Sequence, residues 1–243
     1  MIRLLLALPI GGALVLLGAG GSILTVPLLV YGLGLDVREA AGTSLLVVGV
    51  VALVGAVTRW RAVHARVGAT FGLAGIVGAV PGAWLNHHVP AAAVLAGFGA
   101  TVILVALRLT RPLPAPRAGQ HAVAALIAGF AGGVATGFFG VGGGFLIVPA
   151  LTVLLGLDMG AAVATSLLVI ALNSLGALVA HAAYGTVVWS TGIEVALAAL
   201  LGAALAWPLG VRVGQHALQR AFVVCLIFLG AGILLQGLGR LLG

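Results

Sequence analysis

"GVGGGFLIVPALTVLLGLD", residues 140–158, is strongly apolar yet broken by glycines and a proline. Inside a soluble helix each Gly costs about 1 kcal/mol and Pro about 3. Such a stretch makes a poor soluble core helix, and the composition around it explains why it can exist. Of 243 residues, 63% are hydrophobic and 6% are charged. Soluble domains carry about 25% charged residues, so this chain cannot cover a water-facing surface. It reads as an all-α polytopic integral membrane protein.

The basic residues are all arginines, and they lie between apolar runs, where orientation signals belong. No basic face carries interleaved aromatics, so nucleic acid is not an expected partner. Cys225 is the single cysteine, which excludes an intrachain disulfide. No Cys or His spacing suits a metal, and the adjacent His87 and His88 are expected in a loop. No cofactor is expected.

Apolar runs of about 18 residues or more mark membrane helices, and eight such runs are present. Six are ordinary: 40–58, 67–85, 90–108, 160–181, 187–208 and 217–239. Two are long, 2–35 and 122–157. A helix of about 34 residues spans roughly 50 Å, against a hydrocarbon core of about 30 Å. Each long run must therefore tilt, break or fold back. The N-terminal "MIRLLLALPIGGALVLLGAG" is expected to be the first membrane segment rather than a cleaved signal, because it runs directly into residues 18–36.

The longest polar interval, "RLTRPLPAPRAGQH" at 108–121, divides the chain into a first repeat (1–109), a cytoplasmic linker (110–121) and a second repeat (122–243). "RWRAVHAR" at 59–66 belongs on the same face, two crossings earlier. The "NHHVP" stretch at 86–90 belongs on the other.

Shifted by 122 residues, 18–47 aligns without a gap on 140–169, with 17 of 30 positions identical. Gly20, Gly21, Pro27, Asp36, Thr43 and Ser44 fall on Gly142, Gly143, Pro149, Asp158, Thr165 and Ser166. This is an internal duplication, as in many secondary transporters. If each long run crosses once the halves are parallel; if each folds back or crosses twice they are inverted. Inversion puts Arg212 and Arg220 on the cytoplasmic side and only Arg240 outside, which favours inverted repeats.

Paired interruptions at corresponding positions point to a transport site. The start of a half-helix presents unpaired N–H groups and a positive dipole end that attract an anion. The candidate substrate-binding residues are therefore Gly20, Gly21, Gly142, Gly143 and Gly144, with Thr43, Ser44, Thr165 and Ser166 two turns into the following helices. Close helix packing competes for the glycines, and bonds to their own helix carbonyls compete for the hydroxyls. Gly11, Gly12, Gly49, Gly75 and Gly78 are assigned to packing. Asn173, seven residues after Ser166 on the same face, is a buried amide in need of partners. Asp36 and Asp158 read as helix caps, Asp36 with Glu39 in a capping box. Glu194 and His181 are the candidates for proton coupling.

The duplicated order of glycine cluster, "VP", "GLD" and "ATSLL" resembles the sulfite exporter TauE/SafE family over nearly the whole chain. "GFFGVGGGFLIVPALTVLLGLDMGAAVATSLLVIALNS" is the closer copy; the first has Ser22 where the second has Gly144. The resemblance implies a multi-pass inner-membrane permease for sulfite, organosulfonates or related small anions. The expected function is secondary transport by alternating access between the repeats, with a small anionic solute, the bilayer and a homodimer as partners. A drug/metabolite-type carrier and a non-transporting scaffold are the alternatives. No paired acids, metal triad or Ser–His pair suggests an enzyme.

Overall fold

The computed structural model describes Leu8, Gly11, Gly12, residues 24–109, 121–141 and 144–210, and Val224, Ile227, Phe228, residues 230–235 and Gly239. The described residues are helical, with no strand. A short helix α1 (Thr25–Pro27) widens into a π-turn segment, Leu28–Gly32. There follow α2 (Val37–Thr58), α3 (Ala65–His88), α4 (Ala91–Leu109), α5 (His121–Phe139), α6 (Gly144–Leu155), α7 (Met159–Ala183) and α8 (Trp189–Gly210). Four of these, over 37–58, 65–88, 160–183 and 189–206, are long and apolar enough to cross a membrane.

The ordinary runs 40–58, 67–85, 90–108, 160–181 and 187–208 become helices within a few residues of their expected ends, whereas most of the run 217–239 lies outside the described residues. The ends have local causes. Asp36 caps α2: its carboxylate accepts from the Arg38 N–H at 3.0 Å, and its own N–H donates to Glu39 at 3.3 Å. Asp158 caps α7 by accepting from the Ala161 N–H at 3.0 Å. His87 and His88 are not in a loop. They form the last turn of α3, which continues through Pro81 and ends at Val89, the extended residue before Pro90.

The run 122–157 breaks after α5, where Gly140 takes a positive φ of 69°. The 12 residues of α6 rise about 18 Å, short of a full crossing. Of the run 2–35, the described part ends in the same way: Gly34 and Gly156 have φ of 73° and 66°. At these glycines the Leu35 N–H reaches the Leu29 carbonyl, and the Leu157 N–H reaches Leu151. These are corresponding bonds, offset by 122 at both partners.

Facing residues give the helix directions. Along α2 and α7, Gly49 faces Ser174 and Gly55 faces Leu167, and Gly42 faces Thr186 just past the end of α7, so the two helices run antiparallel. Gly68, Gly72 and Gly75 of α3 face Leu168, Leu172 and Asn173, so α3 runs parallel to α7. Helix α5 is parallel to α3, with Gly129, Gly133 and Gly137 against Phe71, Gly75 and Ala79. One end of the bundle thus gathers His88, Phe139 and Ala183; the other gathers Thr58, His64 and Met159. The chain from Gly140 to Asp158 leads from the first end to the second. The outward surface is apolar: Leu53, Val77, Ile127 and Leu201 are all exposed. Trp60, Trp84 and Trp189 are exposed near helix ends, as interfacial anchors should be.

Candidate functional site

Thr43 and Thr165 are both fully buried. The Thr43 hydroxyl accepts from the Val188 N–H at 2.9 Å, just before α8. The Thr165 hydroxyl accepts from the His64 N–H at 3.0 Å, just before α3. The acceptors differ by 122 residues and the donors by 124 (188 − 64). Each half therefore lends a threonine to the first amide of a helix in the other half. The same offsets relate Gly68, packed on Leu168 and Thr165, to Gly192, packed on Leu46 and Thr43. Because α2 and α7 are antiparallel, the two threonines lie at opposite ends of their contact, about 21 Å apart along the helices. They are not brought together. Neither threonine hydroxyl donates to another described atom.

The serines beside them are engaged. Ser166 donates to the Val163 carbonyl at 2.8 Å, and Ser44 to Ala41 at 2.9 Å, with the Gly140 carbonyl also against its hydroxyl. Ser44 thereby ties α2 to the break that precedes α6. A Cβ on Gly140 would collide with Ala41, so the close approach needs glycine there as well as its positive φ. Gly144 opens α6. Gly20, Gly21, Gly142 and Gly143 lie outside the described residues.

Asn173 and Ser174 are fully buried, and the Asn173 amide nitrogen and oxygen and the Ser174 hydroxyl have no hydrogen-bond partner among the described residues. Asn173 lies against Gly75 of α3 and Ser174 against Gly49 of α2. Ser174 was not among the sequence candidates. Its signal is the mismatch between copies: Asn173-Ser174 stands where the first half has Val51-Ala52.

His181 is buried at the C-terminal end of α7. Its Nε2 lies 2.8 Å from the Gly137 carbonyl and its Nδ1 3.0 Å from the Thr186 hydroxyl, whose proton reaches the His181 carbonyl at 3.0 Å. A carbonyl only accepts, so Nε2 carries a proton. Nδ1 then either accepts from Thr186 or, in the imidazolium form, donates to it while Thr186 turns to its carbonyl acceptor. Nearby, the His87 ring stacks on Tyr184 with centroids 4.6 Å apart, and Asn86 donates to the Phe138 carbonyl at 2.6 Å. Glu194 occupies an exposed position in the second turn of α8. Among the described residues no group of three or more His, Cys, Asp or Glu could hold a metal.

Comparison with known proteins adds a family. A family profile described as Sulfite exporter TauE/SafE matches residues 4–233. A "Probable membrane transporter protein" of Xylella fastidiosa is 34% identical over 235 residues, covering 90% of this chain and 88% of that protein. The "Probable membrane transporter protein YunE" of Bacillus subtilis is 28% identical over 254 residues, covering 92% and 93%. No solved structure gives a significant match.

Proposed function

The chain belongs to the sulfite exporter TauE/SafE family and is a multi-pass membrane transporter, and from that premise we propose a secondary transporter of small sulfur-containing oxyanions working between two inverted repeats. The observation that carries the reading is the reciprocal pair of threonine contacts, Thr43 with Val188 and Thr165 with His64. Corresponding helices α2 and α7 run in opposite directions, as repeats related by an axis in the membrane plane require. A pass by the segment 140–158, short helix included, gives each half an odd number of crossings, and that inverts the second half. The arginine loop 59–66 and the linker 110–121 then share the cytoplasmic face.

Oxyanion binding draws on the glycine clusters Gly20–Gly21 and Gly142–Gly144 and on Asn173, with the hydroxyl protons of Thr43 and Thr165 serving the solute separately, one toward each end of the α2–α7 contact. Backbone N–H groups where α6 begins favour an anion. Ser44 and Ser166 hold the frame around those donors. His181 is the better placed proton-coupling group, because either protonation state keeps its ring bonded to both neighbours, whereas Glu194 is exposed on α8. The inner membrane is the expected location.

Purified protein in liposomes is expected to move sulfite or a small organosulfonate down an imposed gradient. Absence of flux across a panel of sulfite, sulfoacetate, taurine, thiosulfate and sulfate would overturn the substrate class.

A further inference from the structure

Three of the five buried side-chain polar atoms that lack a hydrogen-bond partner among the described residues belong to Asn173 and Ser174. An amide buried unpaired within a membrane bundle is costly, because its desolvated polar atoms gain no bond in return. The fold does not require it. At the corresponding positions of α2, Val51 and Ala52 are equally buried and apolar. The pair also sits at a special place. The α2–α7 contact is centred where Gly49 meets Ser174, and residue 171 is the midpoint of α7, Met159–Ala183. Asn173 is thus about 3 Å from mid-helix along the axis, where two helices of opposite halves cross.

We propose that Asn173 and Ser174 form the midplane contact for the transported solute, selective for singly charged oxyanions, and that Gly49 and Gly75 close it in this conformation. The inference rests on the transport reading above. Parting α2 and α3 from α7 frees two amide N–H groups and a hydroxyl for solute oxygens, and an amide oxygen for a protonated solute oxygen. The glycines are what allow closure: a Cβ on Gly75 would strike the Asn173 amide, and one on Gly49 would sit 3.1 Å from the Ser174 Cβ. The site contains neutral donors only. Arginines among the described residues lie at or beyond helix ends, at 38, 59, 61, 66 and 108. Burial cost grows with the square of the charge, so neutral donors accept a monoanion far more readily than a dianion.

The test compares the wild type with N173V/S174A, which installs the residues of the first half. Flux into liposomes is measured for methanesulfonate, sulfite and sulfate, with thermal unfolding of the same samples. The expected results are wild-type flux for methanesulfonate and for sulfite, rising as the pH falls and hydrogensulfite forms, with sulfate poorly carried. The double variant should lose flux by about tenfold or more, the effect of one or more missing donors, and should unfold no earlier than wild type. Wild-type flux retained in the variant overturns the site alone. No wild-type flux for any sulfur anion overturns the substrate reading and this inference with it. Equal flux of sulfate and methanesulfonate overturns the charge preference. Earlier unfolding of the variant would mean a structural role, again overturning the site. If the variant does not insert, S174C in a C225S background decides: methanesulfonate should slow its labelling by a methanethiosulfonate reagent, and an unchanged rate overturns the proposal.

Discussion

Thr165 and His64 lie 101 positions apart yet share a hydrogen bond. Duplication of the Thr-Ser pair marks Thr43 and Thr165 in the sequence, but nothing local reveals which amide each will meet. Short-range chemistry is legible: Asp36 and Asp158 cap their helices from positions two or three residues away. The tertiary partner is not legible, because it depends on how two distant helices cross. Removing the acceptor has a definite consequence. T165V removes the acceptor of the part-buried His64 N–H bond and should cost about 1 kcal/mol, whereas T165S keeps the acceptor. Thermal unfolding in detergent should show a clear drop for the valine variant and a small change for serine. Equal stability of the two would mean that the hydroxyl carries no structural load. His181 gives a pH prediction at the same scale. With its protonation tied to the transport cycle, flux of methanesulfonate, whose own charge stays fixed near neutral pH, should depend on pH in the wild type. H181Q keeps polar atoms at both ends of the side chain and should flatten that profile. A profile unchanged by H181Q would remove His181 from coupling.

The helices owe their closeness to glycine. Along α3 and α5, a Cβ on Gly78, Gly82, Gly129, Gly133 or Gly137 would meet backbone atoms of the facing helix at 3.0 Å or less. Small residues spaced by four let backbones approach in a bilayer, where lipid competes equally for larger apolar side chains. Composition shows that many glycines must serve packing, and Gly75 and Gly78 are recognisable as such. Which partner helix each one meets is not written locally. The break at Gly140 is legible as a glycine cluster in a run too long for one helix. The π-turn over Leu28–Gly32 is not, since its apolar residues suit an α-helix equally well. G133V should prevent α5 from seating on α3, seen as loss of the monodisperse folded peak in detergent chromatography. G97A is the control. Its Cβ meets only the Phe139 ring at 3.7 Å, and Ala favours helix by about 1 kcal/mol, so folding should be unimpaired. A folded G133V would mean that the two helices can separate without cost.

Two threonine contacts lie at opposite ends of one antiparallel helix pair, as the proposed inverted repeats require. Apolar runs and the internal offset make the halves visible in sequence, and the arginines favour one orientation. The pairing of each half with the other is hidden, because it appears only when α2 and α7 are placed side by side. Alternating access predicts that the contacts open in turn: while Thr43–Val188 holds one face shut, Thr165–His64 yields at the other, and the reverse. Cysteine pairs T43C/V188C and T165C/H64C, each in a C225S background, should therefore trap opposite states after oxidation. Each pair alone should stop flux, and reductant should restore it. A labelling site at mid-bundle, such as S174C with the native cysteine removed, should then react only from the His64 side when the first pair is closed. It should react only from the Val188 side when the second is closed. Labelling from the same side in both cases would place the two contacts on one face and dismantle the inverted arrangement. Flux that persists with both pairs oxidised would show that neither contact has to open during the cycle.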